Sequence, residues 1–272
     1  MRQYFKLLLI WLVMTPFAGG YEIDAGRSYG MAGTVMMSQP SAGSHLACPS
    51  GMVQKGQLLI ESGWQRRFEL SELDQLFLAA GYRVGDVSFS AGFSQFGESD
   101  YYTEKIFRST ISYNYKNFTG SLIGSGKILE IGGTYDPFRA ASVGLGAGVN
   151  YGPYHLGVVV DNLNRPKIVD RREGDNVLFD IYAEIEGGSF HTLTARLRFE
   201  KDHETYVGIG QYIYLYDHHA FFWGISHNPL TYGGGAELVY RGISFVYSAN
   251  YHTTLGFTHN ISINFIGGRN RE

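Results

Sequence analysis

The residues that could do chemistry in this chain are, first, its histidines. Six of the nine fall late: His203, His218, His219, His227, His252 and His259. A metal centre needs three or four converging side chains of suitable type. The sequence offers one adjacent pair, His218-His219, in what reads as a tight turn, so no metal and no other cofactor is expected. Nucleophilic catalysis needs a hydroxyl beside a base, and Ser226-His227 and Thr258-His259 are the pairs to consider. Adjacent residues on a strand point to opposite faces, so neither pair can cooperate locally, and no catalytic residue is assigned. The run Gly233-Gly234-Gly235 follows no P-loop or dinucleotide pattern and reads as a place where strands approach closely.

Charged residues form the other candidate set, and their meaning depends on the elements that carry them. The stretch from Gly242 to Phe265 sets the pattern. Ile243, Phe245, Tyr247, Ala249 and Tyr251 alternate with Ser244, Val246, Ser248, Asn250 and His252. After a short turn, Leu255, Phe257, Ile261, Ile263 and Phe265 alternate with Gly256, Thr258, Asn260, Ser262 and Asn264. A period of two means strands, with one apolar, aromatic face and one small, polar face. Similar alternation places Phe107, Ile111, Tyr113 and Tyr115 opposite Arg108, Thr110, Ser112 and Asn114. It also places Leu193, Ala195, Leu197 and Phe199 opposite Thr194, Arg196, Arg198 and Glu200. Segments 118–130 and 220–227 are ambiguous. On this reading Glu61, Arg83, Arg108, Asp180, Glu184, Glu186, Arg196, Arg198, Glu200, Glu237 and Arg241 all lie on the polar side. In a membrane barrel that side is the lumen, because an Arg or Lys facing lipid at mid-depth costs about 2–4 kcal/mol.

Composition supports a barrel. The chain has 36 Gly, 20 Tyr, 18 Phe and only 7 Pro in 272 residues, which suits close-packed tilted strands with aromatic girdles. With a formal net charge of −3 and 17% charged residues, nothing points to a nucleic-acid partner. Arg2 and Lys6, the apolar run LLLIWLVM and the small residues Ala18-Gly19-Gly20 form a secretory signal peptide over residues 1–20. Pro16 interrupts the run, which is too short for a retained helical span. Cys48 is the single cysteine, so no internal disulfide can form.

Residues 21–56, rich in Gly, Ser and Ala, show no alternation and read as irregular structure ahead of the first strand. From Gln57 onward roughly fourteen strand-like segments follow, an even number as in membrane barrels, and fill 57–268, leaving 269–272 as a tail. Links after odd segments are expected to be long and to face outward: Gln65–Asp74, Gly97–Glu104, Ile131–Arg139 and Asn164–Asp175. Links after even segments, such as Gly85-Asp86, Gly152-Pro153, Gly187-Gly188 and Arg241-Gly242, are tight. A β-sandwich has no reason to alternate its links in this way. The expected fold is therefore all-β: an antiparallel transmembrane β-barrel of about fourteen strands with an N-terminal plug-like segment.

The early stretch GRSYGMAGTVMMSQPSAGSHLACPSGM, the internal VVVDNLNRP and the ending SHNPLTYGGGAELVYRGISFVYSANYHTTLGFTHNISINF resemble outer-membrane proteins of the FadL-like superfamily, particularly its PorV-like and UPF0164-like groups. On that match Gly30, Met31 and Gly33 fall on a glycine turn of the plug, and Pro49 and Gly51 on its second element. The chain departs from the pattern at Cys48, where Asn is usual, and at IGGRNRE after Phe265. The resemblance implies a barrel with its N-terminal segment in the lumen, outer-membrane lipids around it, and either uptake of apolar small molecules or a part in type IX secretion. Two functional classes stay open: a transporting or secretion-associated barrel, and a closed structural barrel that presents surface loops to a partner. In the first, Glu61, Arg83, Arg108, Asp180, Glu184, Arg196, Arg198 and Glu237 line a polar conduit; in the second they close the lumen by ion pairs.

Overall fold

A computed structural model of the protein describes residues 26–51, 53–98, 102–132, 136–167, 175–216 and 218–268. The signal peptide expected over 1–20 and the tail expected over 269–272 lie outside the described residues. Fourteen antiparallel strands close into one barrel in which every strand pairs with its sequence neighbours and β1 pairs with β14. They are β1 (Leu58–Arg66), β2 (Asp74–Val84), β3 (Val87–Glu98), β4 (Tyr102–Tyr115), β5 (Phe118–Ile131), β6 (Phe138–Tyr151) and β7 (Tyr154–Asp161). The second half comprises β8 (Leu178–Gly187), β9 (His191–Glu200), β10 (Tyr206–Tyr216), β11 (His219–His227), β12 (Thr231–Tyr240), β13 (Ile243–His252) and β14 (Gly256–Gly267). This is a transmembrane β-barrel, and no described helix is long and apolar enough to cross a membrane.

The alternation in the sequence decides which side of the wall each residue takes. In β13 the exposed residues Ile243, Phe245, Tyr247 and Tyr251 alternate with the buried residues Ser244, Val246, Ser248 and Asn250. An inverted globule, apolar outside and polar inside, is what lipid outside and an enclosed lumen require. Exposed aromatics gather near both ends of the strands. Tyr82, Tyr113, Tyr115, Tyr151, Tyr154 and Tyr240 lie toward the short-turn end, and Phe179, Phe199, Tyr232, Tyr251 and Phe257 toward the other. Such rings suit the two membrane interfaces.

At the short-turn end Gly85, Gly152, Gly188 and Gly242 take positive φ, which tight hairpin links demand. Arg241 belongs to this end rather than to a strand. It sits in a turn at φ 51° with its guanidinium 5.1 Å from the Tyr240 ring, so it does not line the lumen. At the opposite end the links run from 67 to 73, from 132 to 137 and from 162 to 177. The expected long link Gly97–Glu104 is shorter, because β3 and β4 stay paired up to Glu98 opposite Tyr102. β7 is short, with eight residues against fourteen in β6, so the upper part of β6 lacks a strand neighbour there. The side chain of Asn164 stands in for one: its Nδ2 donates to Ala141 O at 2.8 Å and its Oδ1 accepts from Val143 N at 3.1 Å.

The segment ahead of β1 is not wholly irregular. It contains two short helices, α1 (Gly26–Gly30) and α2 (Ala42–Ala47), both inside the barrel. Ser41 caps α2 in a capping box: its Oγ accepts from Ser44 N, and Ser44 Oγ accepts from Ser41 N at 2.7 Å. Helices of five and six residues are too short to show a helical period or to stand alone, so they depend on the wall around them.

Candidate functional site

Residues 26–51 run through the lumen, and their backbone groups need partners, because no water-filled space surrounds most of them. The wall supplies those partners according to charge. Inward carboxylates take backbone N–H groups: Glu61 on β1 accepts from Gly26 N at 3.2 Å and Gly43 N at 2.9 Å. Glu184 on β8 accepts from Met37 N and from both the backbone N and Oγ of Ser38. Inward guanidiniums take carbonyls. Arg108 Nε on β4 donates to Leu46 O at 2.9 Å, Arg196 on β9 to Gly33 O at 3.1 Å, and Arg83 on β2 to Val53 O at 2.9 Å.

Neutral groups complete the set. Ser248 donates to Gly26 O, Asn250 to Tyr29 O, Ser112 to Pro49 O and Tyr206 to Ala32 O. One contact reverses the direction: the segment's own Arg27 points its Nε at Glu237 Oε2 on β12, 3.5 Å away. Other inward charges hold each other. Asp180 accepts from Arg196 and, through both oxygens, from Arg198, while Arg108 also pairs with Asp161 at 2.8 Å. Charged hydrogen bonds of this kind are shorter and stronger than neutral ones.

Glycines decide where the segment can touch the wall. A Cβ at Gly224 would lie 2.4 Å from Met31 C, one at Gly208 2.6 Å from Ala32 O, and one at Gly233 2.4 Å from Gly30 O. In the Gly233–Gly235 run, Gly233 makes room for the luminal backbone, while at Gly235 a Cβ would lie 2.3 Å from Tyr247 O of the neighbouring β13 and 2.4 Å from the Phe222 ring, so this glycine lets strands approach closely. Within the segment, Gly33 takes positive φ (67°), as does Ala32 (52°), but Gly30 and Gly51 do not. Gly51 still closes a turn, its N–H donating to Cys48 O at 3.1 Å. Gly30 is required by space, because a Cβ there would come 2.5 Å from the Phe222 ring.

Apolar contact fills the gaps between the polar ones. Met31 and Met36 pack on Tyr212, Ala220, Phe222 and Val246. Val35, Met37, Ala47 and Cys48 pack on Ile123, Val159 and Tyr182, and Ala42, Leu46 and Val53 on Leu59, Phe77 and Ala79. Cys48 is 1% exposed, and burial pushes its thiol up to about 12. His45 is fully buried, with Nδ1 2.6 Å from Ser90 Oγ, and burial lowers its pKa to about 4. Pro49 carries the carbonyl taken by Ser112.

The residues weighed for catalysis are separated by the wall. Ser226 is buried and donates to Pro229 O, whereas His227 is exposed on the other face. Thr258 is buried, while His259 stacks on Tyr247 and Phe257. His218 and His219 are exposed. A group that sequence reasoning missed comprises His155 on β7 and Glu184 and Glu186 on β8, whose ligand atoms lie within 4.8 Å of one another. The register that sets His155 opposite Glu184 brings them together; the alternation already puts Glu184 and Glu186 on the lumen side, and the turn at Gly152-Pro153 fixes where β7 begins.

Neither a family model nor a curated protein matches the chain. Solved structures do. The Pseudomonas putida toluene transporter TodX aligns with a TM-score of 0.62 at 10% identity, covering 90% of this chain and 97% of that one. Its deltaS2S3 mutant, described as a monoaromatic hydrocarbon channel, aligns with a TM-score of 0.63 at 10% identity over 90% and 98% of the two chains. These similarities extend to the fold.

Proposed function

We propose that this chain is a FadL-like barrel of the bacterial outer membrane that passes small apolar compounds, with the luminal segment as its gate. The observation that carries this reading is the pairing of apolar wall and methionine. Phe222, Tyr212, Val246, Ile123 and Val159 face inward, and Met31, Met36 and Met37 cover them. An apolar inner wall packed on the segment would serve a sealed lumen equally well, so it is the methionines that favour a guest. Methionine is the side chain that most readily repacks around a guest. Apart from the Arg27–Glu237 ion pair, the polar anchors of the segment are hydrogen bonds that water can replace, so displacement of the segment would expose an apolar lane beside polar footholds. TodX, with the same fold, is named for toluene, which suits such a lane.

The closed structural barrel is the second reading, and the burial of Glu61, Arg108, Asp180, Glu184 and Glu237 favours it. The PorV-like grouping and its link to secretion draw on sequence motifs alone. Flux into proteoliposomes separates the first two. Protein that passes a monoaromatic solute faster than a sugar of similar size supports the transporter, and protein that passes neither, with or without the segment, sinks it. The signal peptide and the aromatic rings support placement in the outer membrane, which fractionation of cells tests directly.

A further inference from the structure

His155 lies 5% exposed in the lumen near the short-turn end. Its ring is fixed from behind, with Nδ1 2.7 Å from Asn150 Oδ1. An amide oxygen only accepts, so Nδ1 carries the hydrogen and Nε2 is left with its lone pair. That lone pair faces Glu186 Oε1 at 2.7 Å. Two acceptors sit this close only with a proton between them, and a metal ion held by both at about 2.0–2.1 Å would open the separation to about 3 Å. Glu184, directly opposite His155, adds a second carboxylate, already oriented by Met37 and Ser38. A proton on the ring would balance one of the two carboxylates; a divalent ion balances both.

We propose that His155, Glu184 and Glu186 form a binding site for a divalent transition-metal ion of the Zn²⁺ class. One imidazole nitrogen with two carboxylates suits such an ion, whereas Ca²⁺ and Mg²⁺ favour oxygen throughout. Asn150 behind the ring is the outer partner that ligating histidines usually have. The Glu186 side chain is 40% exposed and borders an open cleft with Gln39, Ser189, Thr192 and Tyr214, which provides a path for the ion and room for water ligands. Through Glu184 the ion would brace the luminal segment at Met37 and Ser38. The site stands whether or not the barrel transports anything.

The test is calorimetric titration of Zn²⁺ into the full chain, refolded in detergent and stripped with chelator. One equivalent is expected to bind, with Glu186→Gln and His155→Ala each weakening it tenfold or more. Replacing His218 and His219 with alanine should change nothing. Glu186→Gln removes no contact to the luminal segment, and its folding is verified by heat-dependent gel mobility, so it decides the matter even if His155→Ala fails to fold. Folded protein that takes up no Zn²⁺, or whose affinity is unmoved by Glu186→Gln, overturns the site and leaves an imidazolium–carboxylate pair.

Discussion

Arg27 of the luminal segment and Glu237 of β12 form an ion pair at 3.5 Å in which neither side chain is more than 9% exposed. Glu237 Oε2 also accepts from Tyr212 at 2.8 Å, so this one oxygen is shared between segment and wall. Buried pairs cost much to desolvate and yield little net stability, but breaking one leaves an uncompensated charge worth about 3–5 kcal/mol. Arg27→Met and Glu237→Gln should therefore each lower unfolding free energy in lipid vesicles by about 3 kcal/mol, less where a proton is taken up. The double variant Arg27→Met/Glu237→Gln should lose less than the sum. Urea titration of all three checks this, and strict additivity would show that the pair does not join segment to wall.

The wall glycines predict a way to expel the segment without touching it. Gly224→Val places side-chain carbons where Met31 and Ala32 backbone atoms now lie, 2.4–2.8 Å from the Cβ position. β11 is paired on both sides, so the barrel should still close. The expected outcome is unchanged heat-dependent mobility with higher single-channel conductance in planar bilayers. Unchanged conductance would mean that the segment can shift aside without opening a path.

His45 gives the pH dependence. Its pKa is lowered by burial from 6.5 to about 4, and its Nε2 has no hydrogen-bond partner. In the native state the ring stays neutral down to about pH 4, while in the unfolded chain it protonates below about pH 6.5. The unfolded state thus binds more protons in that window, and stability is lost as pH falls through it, by up to about 1.4 kcal/mol per unit. Above pH 7 the contribution is flat. His45→Asn should flatten the acid limb of a stability–pH curve measured by urea titration, and an identical limb in both proteins would place its cause in the carboxylates instead.

The strands and their faces were legible in the sequence because lipid and lumen impose opposite polarity on consecutive residues, as in Ile243 to Asn250. Alternation blurred in β11 because Phe222 and Ala220 face inward onto Met31 and Met36, so both faces read as apolar. The link near residue 100 was misjudged because pairing between β3 and β4 depends on register, not on residue type. The path of the luminal segment was not legible at all. Which carbonyl meets Arg108 or Arg196 follows from where wall glycines leave room, and contacts such as Gly33 to Arg196 join residues more than 160 positions apart. The His155 cluster was hidden for the same reason: it is a product of β7–β8 register.

Cys48 reports on the segment as a whole. It packs between Met37, Ser50 and the wall at Gly157, and its Sγ lies 2.9 Å from Ser50 Oγ. The thiolate is the species that reacts with a maleimide. Burial raises the thiol from 9.0 to about 12, so at pH 8 the reactive fraction falls by about a thousandfold before any steric exclusion is counted. Folded protein should therefore label with a bulky maleimide at least a thousandfold more slowly than protein unfolded in urea. Gly224→Val, if it displaces the segment, should recover much of the lost rate while the barrel stays folded. If the segment is a gate, a solute that opens it should also speed labelling, so rates measured across a series of apolar compounds would rank them without a flux assay. Fast labelling of the folded wild type would mean that the segment leaves the lumen spontaneously and does not serve as a gate.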